Sequence, residues 1–159
     1  MTKYRLGAQS LARLKGVHPQ LARVVQGAIE KTKQDFMVLE GVRSKETMWE
    51  YWGKGRTASQ CRAAGVPEKY AKPGLAKVTW LNNPLGSNHR IMADGFGHAV
   101  DLCPFPVDWN DAAKFDAIAD AMFAAAKELG VKIRWGADWD QDGNPRERGE
   151  TDSPHFEVA

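Results

Sequence analysis

The side chains that could do chemistry in this chain fall in two places. The stretch GSNHRIMADGFGHAVDL gathers Ser87, His89, Asp94, His98 and Asp101, and the tail ETDSPHFEVA sets Asp152 three residues ahead of His155. The fourth histidine, His18, precedes Pro19 at a helix start and reads as structural. No HExxH, cysteine cluster, P-loop or GxSxG elbow occurs, and GFGHAV opens a strand rather than a helix, so it is no phosphate-binding fingerprint. A catalytic zinc needs three nitrogen or oxygen ligands and one open position for water. His89, Asp101 and His155 could supply that set. Two neutral imidazoles and one carboxylate leave bound zinc with a net positive charge, which favours polarising a carbonyl and acidifying water. Asp152, held near His155 by the rigid DSPH turn, is then placed to take the water's proton.

Strand geometry ranks the histidines. If residues 97–103 are extended, His98 and Asp101 stand an odd number of positions apart and point to opposite faces. Ala99, Asp101 and Cys103 share a face, and Ala99 is small enough to leave room for a metal. His89 is therefore the better partner for Asp101. The alternative for all these residues is an ordinary loop or surface role.

The elements that must position them are legible from periodicity. HPQLARVVQGAIEKT places Leu21, Val24, Val25, Ala28 and Ile29 on one helical stripe, with Pro19 suited to the first turn. Phe36 to Leu39 reads as a strand. Ser44 caps a short helix carrying Met48, Trp49 and Trp52 and closed by Gly53, and Thr57 to Gln60 has capping-box spacing. Residues 66–96, rich in Gly, Pro and Asn, read as a long connection of the kind that is more often functional than accidental. GHAVDLC is a strand. NDAAKFDAIADAMFAAAKELG is a helix capped by Asn110, with Phe115, Ile118, Met122, Ala126 and Leu129 inward and Gly130 at its end. VKIRW and HFEV are the last strands. The order predicts one small α+β domain with a mainly antiparallel sheet.

Composition bounds the function classes. The chain has 159 residues, 43% hydrophobic and 26% charged, as expected of a soluble globular domain. Its net charge of +2 and the lack of a Lys/Arg cluster argue against a nucleic-acid groove. Cys61 and Cys103 match no metal spacing and read as buried thiols in a reducing compartment. There is no apolar run of signal-peptide or membrane-span length, so synthesis and retention in the cytosol are expected until something releases the protein.

Taken together, SNH, GHAVD and DSPHFE resemble the SxH…GxAxD…(D/E)xxH signature of the zinc peptidases that include VanY-type D-Ala-D-Ala carboxypeptidases. In particular the chain is similar to phage endolysins that cleave the L-alanyl-D-glutamate bond of peptidoglycan. The likeness runs through VHPQL, DFMVLEGVRS, WNDAAKF and ELGVKIRWGADWD, nearly the whole length. It implies a D-Ala-D-Ala carboxypeptidase or hedgehog-like fold, with residues 1–159 forming one monomeric catalytic domain and no separate wall-binding module. It implies zinc ligands at His89, Asp101 and His155, a catalytic acid/base at Asp152, and a supporting hydrogen bonder at Ser87. Arg43, in EGVRS, matches the arginine that steadies the substrate carbonyl or the charge developing on it; a salt bridge to Glu40 or Glu46 is the alternative. Eleven residues, RIMADGFGHAV, separate His89 from Asp101, more than in many family members, which leaves room for Asp94 or His98 to enter the site.

The implied partner is the peptidoglycan stem peptide. The implied setting is the host cytoplasm, with action on the wall, in the periplasm, after a holin opens the way. A D,D- or L,D-carboxypeptidase using the same metal site is the nearest alternative. A non-catalytic wall-binding module with a structural zinc is the alternative of another class, and Asp152 discriminates against it, since a structural site needs no base.

Two further features stand apart. Asp138, Asp140 and Asp142 alternate before Gly143 as an EF-hand loop begins, although its twelfth position is Gly149 with Glu147 and Glu150 nearby. Because the endolysins it resembles use calcium in this region, a regulatory calcium is expected; a solvated acidic turn is the alternative. Of the six tryptophans, Trp80 and Trp139 are flanked by polar loop residues and are the candidates for a substrate groove.

Overall fold

The computed structural model describes residues 3–159. Among them the elements run α1 (Ala8–Arg13), α2 (Pro19–Lys31), β1 (Phe36–Glu40), α3 (Lys45–Gly53), α4 (Ala58–Ala63), β2 (Ala99–Pro104), α5 (Ala112–Leu129), β3 (Ile133–Trp135) and β4 (His155–Val158), with one 3-10 turn at Glu68–Tyr70. The strands form an antiparallel sheet in the order β1-β2-β4-β3. The expected α+β class is the one adopted.

Helix ends follow local chemistry. Pro19 begins α2, and His18 Nδ1 caps it by accepting from the Gln20 amide. Ser44 caps α3, and Thr57 and Gln60 form the expected capping box on α4. On α5 the cap is Asp111, one residue later than expected, because its carboxylate accepts from the Ala113 amide. Helix α1 has too few turns to show a period, and sequence reading passed over it. Its Ser10 hydroxyl accepts from the Val38 amide and ties it to the edge strand β1.

The stripe of α2 and that of α5 pack together on one face of the sheet, where Phe36, Val38, Val100, Leu102, Trp135 and Phe156 point. Each such side chain taken fully out of water contributes roughly 1.5–3 kcal/mol. Leu129, expected on the stripe, lies at the partly exposed end of α5. Strand alternation turns the opposite face of β2 and β4 away from this core, carrying Asp101, His155 and Glu157 with it. The chemistry collects on that face.

A smaller apolar cluster of Trp52, Cys61 and Val66 joins α3 and α4. It anchors the long connection: Trp52 Nε1 donates to the Leu81 carbonyl at 2.8 Å, and Arg56 donates to the carbonyls of Trp52 and Thr79. Apart from the 3-10 turn and isolated bridges, residues 66–96 are irregular, as expected. Cys61 and Cys103 are buried free thiols. No helix among the described residues is long and apolar enough to cross a membrane.

Candidate metal centre

Sheet register builds most of the site. Asp101 on β2 faces Glu40 across one strand boundary and His155 across the other. A bulge between Val38 and Glu40 shifts β1 so that Glu40 comes level with Asp101. His89 arrives from the irregular connection. Its amide donates to Ser87 Oγ, its carbonyl accepts from the Arg43 amide, and its Nδ1 lies 2.8 Å from the Gly41 carbonyl. With Nδ1 engaged, Nε2 is the nitrogen left for a ligand.

Three donor residues converge, each histidine on one oxygen of Asp101. His89 Nε2 lies 3.3 Å from Asp101 Oδ2, and His155 Nδ1 lies 3.3 Å from Asp101 Oδ1. Donor atoms of all three residues lie within 4.8 Å of one another. Tetrahedral ligands about 2.0–2.1 Å from a zinc stand roughly 3.3–3.4 Å apart, so the spacing fits such an ion. His89 is 2% exposed, and its Nε2 is buried with no hydrogen-bond partner despite the nearby carboxylate, which is not aligned to accept from it. An orphaned buried nitrogen costs free energy, and a cation on it removes that cost. The residues fit a metal.

The electrostatics agree. Burial works to raise the pKa of Asp101, but the attraction of His155 and His89 outweighs it and keeps the carboxylate ionised far into acid. Burial works to lower the pKa of His155, yet Asp101 and Glu157 push it up to about 9. Without a metal, a proton sits where the ion would.

The tail is held stiffly. Asp152 and His155 close a turn through a 3.1 Å backbone bond, Leu102 donates to the Pro154 carbonyl, and Trp135 Nε1 donates to the Ser153 carbonyl. Gly136 lies against this turn so tightly that a Cβ there would come 2.3 Å from the Asp152 carbonyl oxygen. The Asp152 carboxylate stands 3.9 Å from His155 Nδ1. Its side chain is 57% exposed to the cleft, while the protein behind it desolvates it and raises its pKa against the pull of His155.

Arg43 makes the salt bridge given above as the alternative, to Glu40, and more. Nε and Nη2 form a two-point pair with Glu40 at 2.7 and 3.0 Å, Nη1 donates to Ser87 Oγ at 3.2 Å, and Nη2 lies 3.8 Å from Asp101 Oδ2. Three of its five N–H donors are committed, and two remain. Ser87 thus links Arg43 to the loop of His89.

Sequence reading missed Glu157. It is 4% exposed; its Oε1 lies 2.8 Å from His155 Nε2, while Oε2 accepts from Asn88 and Arg134 at 2.9 and 2.6 Å. The signal was present, since a residue two places after His155 in a strand shares its face. A carboxylate on the far nitrogen fixes the imidazole's orientation and leaves Nδ1 for the metal.

All of this lines one cleft of about 790 Å³, which also takes in Trp80 and Trp139. Trp139 packs on the His155 ring at 5.5 Å, whereas Trp80 is 78% exposed at the margin. Asp94 and His98 do not join the three ligand candidates. They pair with each other at 2.7 Å, and the His98 ring packs against that of His18 at 5.3 Å. The extra loop folds onto itself. In the acidic loop, Asp138 accepts from the amides of Asp142 and Gly143, and Glu150 accepts from the Asp140 amide. The donor sets Asp138–Asp140–Glu150 and Asp140–Asp142–Glu147 are each within ligating reach of one point.

The chain is similar to known proteins over nearly its whole length. L-alanyl-D-glutamate peptidase of Escherichia phage T5 is 29% identical over 98% of both chains. The crystal structure of the Serratia marcescens L-Ala D-Glu endopeptidase ChiX superposes with a TM-score of 0.60 at 27% identity, covering 99% of this chain and 92% of that one. The family model described as phage L-alanyl-D-glutamate peptidase matches residues 2–64 and 70–159, and the chain belongs to that family.

Proposed function

We propose that the chain is a zinc-dependent peptidoglycan endopeptidase, a phage endolysin that hydrolyses the amide between L-Ala and D-Glu of the stem peptide. The observation that carries this reading is the orphaned His89 Nε2 facing Asp101 and His155, with the Asp152 carboxylate beside them in an open cleft. His89 Nε2, Asp101 and His155 Nδ1 hold the ion. Bound zinc supplies a Lewis acid that polarises the scissile carbonyl and acidifies water.

The chain's own residues do the rest. Asp152, its pKa raised by desolvation, accepts a proton from the attacking water. As the carbonyl carbon gains the water's oxygen and the C–N bond breaks, the same carboxyl returns the proton to the leaving amine of D-Glu. The two free N–H groups of Arg43 steady the charge that develops on the carbonyl oxygen, and Glu40 and Ser87 hold that guanidinium in place. Trp139 and Trp80 offer apolar walls for the substrate. Acting on the wall, the enzyme depends on a holin to leave the host cytoplasm. A calcium ion in the Asp138, Asp140 and Asp142 loop is a second, regulatory ion in this reading, for which Glu147 and Glu150 offer further donors.

Digestion of purified peptidoglycan by zinc-loaded and chelator-treated protein tests the proposal. New N-terminal D-Glu, seen by mass spectrometry and abolished by the chelator, is the expected product. Release of terminal D-Ala instead assigns a carboxypeptidase, and absence of any cleavage leaves a wall-binding module.

A further inference from the structure

The bond proposed above has a chemical peculiarity that the cleft must accommodate. In the stem peptide D-Glu is joined onward through its side-chain carboxyl. Its α-carboxylate therefore stays free, on the very carbon that bears the leaving nitrogen. A site cutting there receives an anion beside the reacting atoms.

The cleft is poorly furnished for an anion. Glu40, Asp101, Asp152 and Glu157 all line it, and only two permanent cations do, Arg43 and Lys54. Arg43 holds Glu40 at two points, and its two remaining N–H groups are assigned above to the scissile carbonyl oxygen. Lys54 has no ion pair among the described residues. The two cations flank one ring: Arg43 Cζ lies 4.7 Å and Lys54 Nζ 5.4 Å from the Tyr51 centroid. Lys54 thus stands one aromatic ring away from the arginine that touches Asp101.

Its backbone is fixed. Gly53 and Gly55 bracket it, the Gly55 amide donates to the Lys72 carbonyl at 2.8 Å, and the Lys72 amide donates to the Gly53 carbonyl at 2.9 Å. At position 53 a Cβ would come 1.9 Å from the Tyr70 carbonyl oxygen, so only glycine lets α3 end where it presents Lys54 to the cleft. An ammonium with no ion pair among the described residues, on a rigid support in a cleft that four carboxylates line, is free to take an anion from the substrate.

We propose that Lys54 recognises the free α-carboxylate of D-Glu and makes the enzyme selective for stem peptides that carry it over those in which it is a carboxamide. This rests on the L-Ala–D-Glu reading. The test compares kcat/KM on two synthetic stem peptides, identical except for carboxylate or carboxamide at that carbon, for the zinc-loaded wild type, Lys54→Arg, Lys54→Met and Lys54→Glu. Each variant's amidated peptide serves as its own control for folded, metal-loaded enzyme.

The wild type prefers the acid, Lys54→Arg keeps that preference, Lys54→Met lowers the acid-to-amide ratio by about tenfold or more, and Lys54→Glu lowers it further. A ratio unchanged in Lys54→Met overturns the assignment while leaving the peptidase reading intact. Failure of the wild type to cut either peptide overturns both.

Discussion

Asp101 and His155 are register partners on adjacent antiparallel strands, and their side chains meet with Oδ1 and Nδ1 3.3 Å apart. Directly opposed residues on one face of a sheet are close neighbours whatever their distance in sequence. Two of the three proposed ligands are therefore brought together by backbone pairing. The loop bearing His89 completes the set, and the Asp152 turn brings the proposed base to its edge.

Asp152→Ala separates ligation from proton transfer. The variant binds zinc at wild-type stoichiometry, measured by elemental analysis after gel filtration, and loses about 10²–10⁴-fold in turnover on peptidoglycan. Hydrolysis retained near the wild-type rate removes Asp152 from the mechanism.

Glu157→Gln weakens the grip on His155 Nε2 without emptying the site of side chains. Zinc affinity, read by competition with a chromophoric chelator, falls about 10–100-fold. Unchanged affinity would mean that Glu157 serves only Arg134 and Asn88.

The metal-free protein has a distinctive pH profile. His155, with an ordinary pKa of 6.5, is pushed up to about 9 in the folded chain, so the folded state binds its proton more tightly than the unfolded one. Its contribution to stability is complete below pH 6.5 and disappears as pH rises through about 9. The thermal midpoint of chelator-treated protein should decline across that window, and that decline should vanish in His155→Ala. Zinc occupies the proton's place, so zinc affinity climbs over the same range. The lowered pKa of Asp101 works in strong acid, outside this window.

Calcium in the acidic loop is checked by calorimetric titration. Binding at millimolar concentrations or tighter is expected for the wild type and is lost in Asp140→Ala, which contributes to both carboxylate sets there. A flat titration for the wild type reduces the loop to a solvated turn.

The chain's periodicities exposed α2, α3, α5 and the strands because their buried faces repeat at helical or strand spacing, and the caps at Ser44 and Thr57 obey local hydrogen bonding. Helix α1 escaped because six residues are too few to show a stripe. The cap of α5 slipped from Asn110 to Asp111 because neighbouring polar residues compete for the same amides. Strand parity and the SxH motif both favour His89 over His98, and the structure brings His89 together with Asp101 and His155.

By itself the sequence determined the α+β class, the candidate ligands, the base beside them and the family likeness, all of which rest on residue type and short-range spacing. Only the tertiary structure decided the partners of Arg43, the clamp of Glu157 on His155, the exclusion of Asp94 and His98, and the isolation of Lys54 in the cleft. Those are contacts between segments far apart in the chain. Strand register and loop packing set them, and neither leaves a periodic trace in the order of residues.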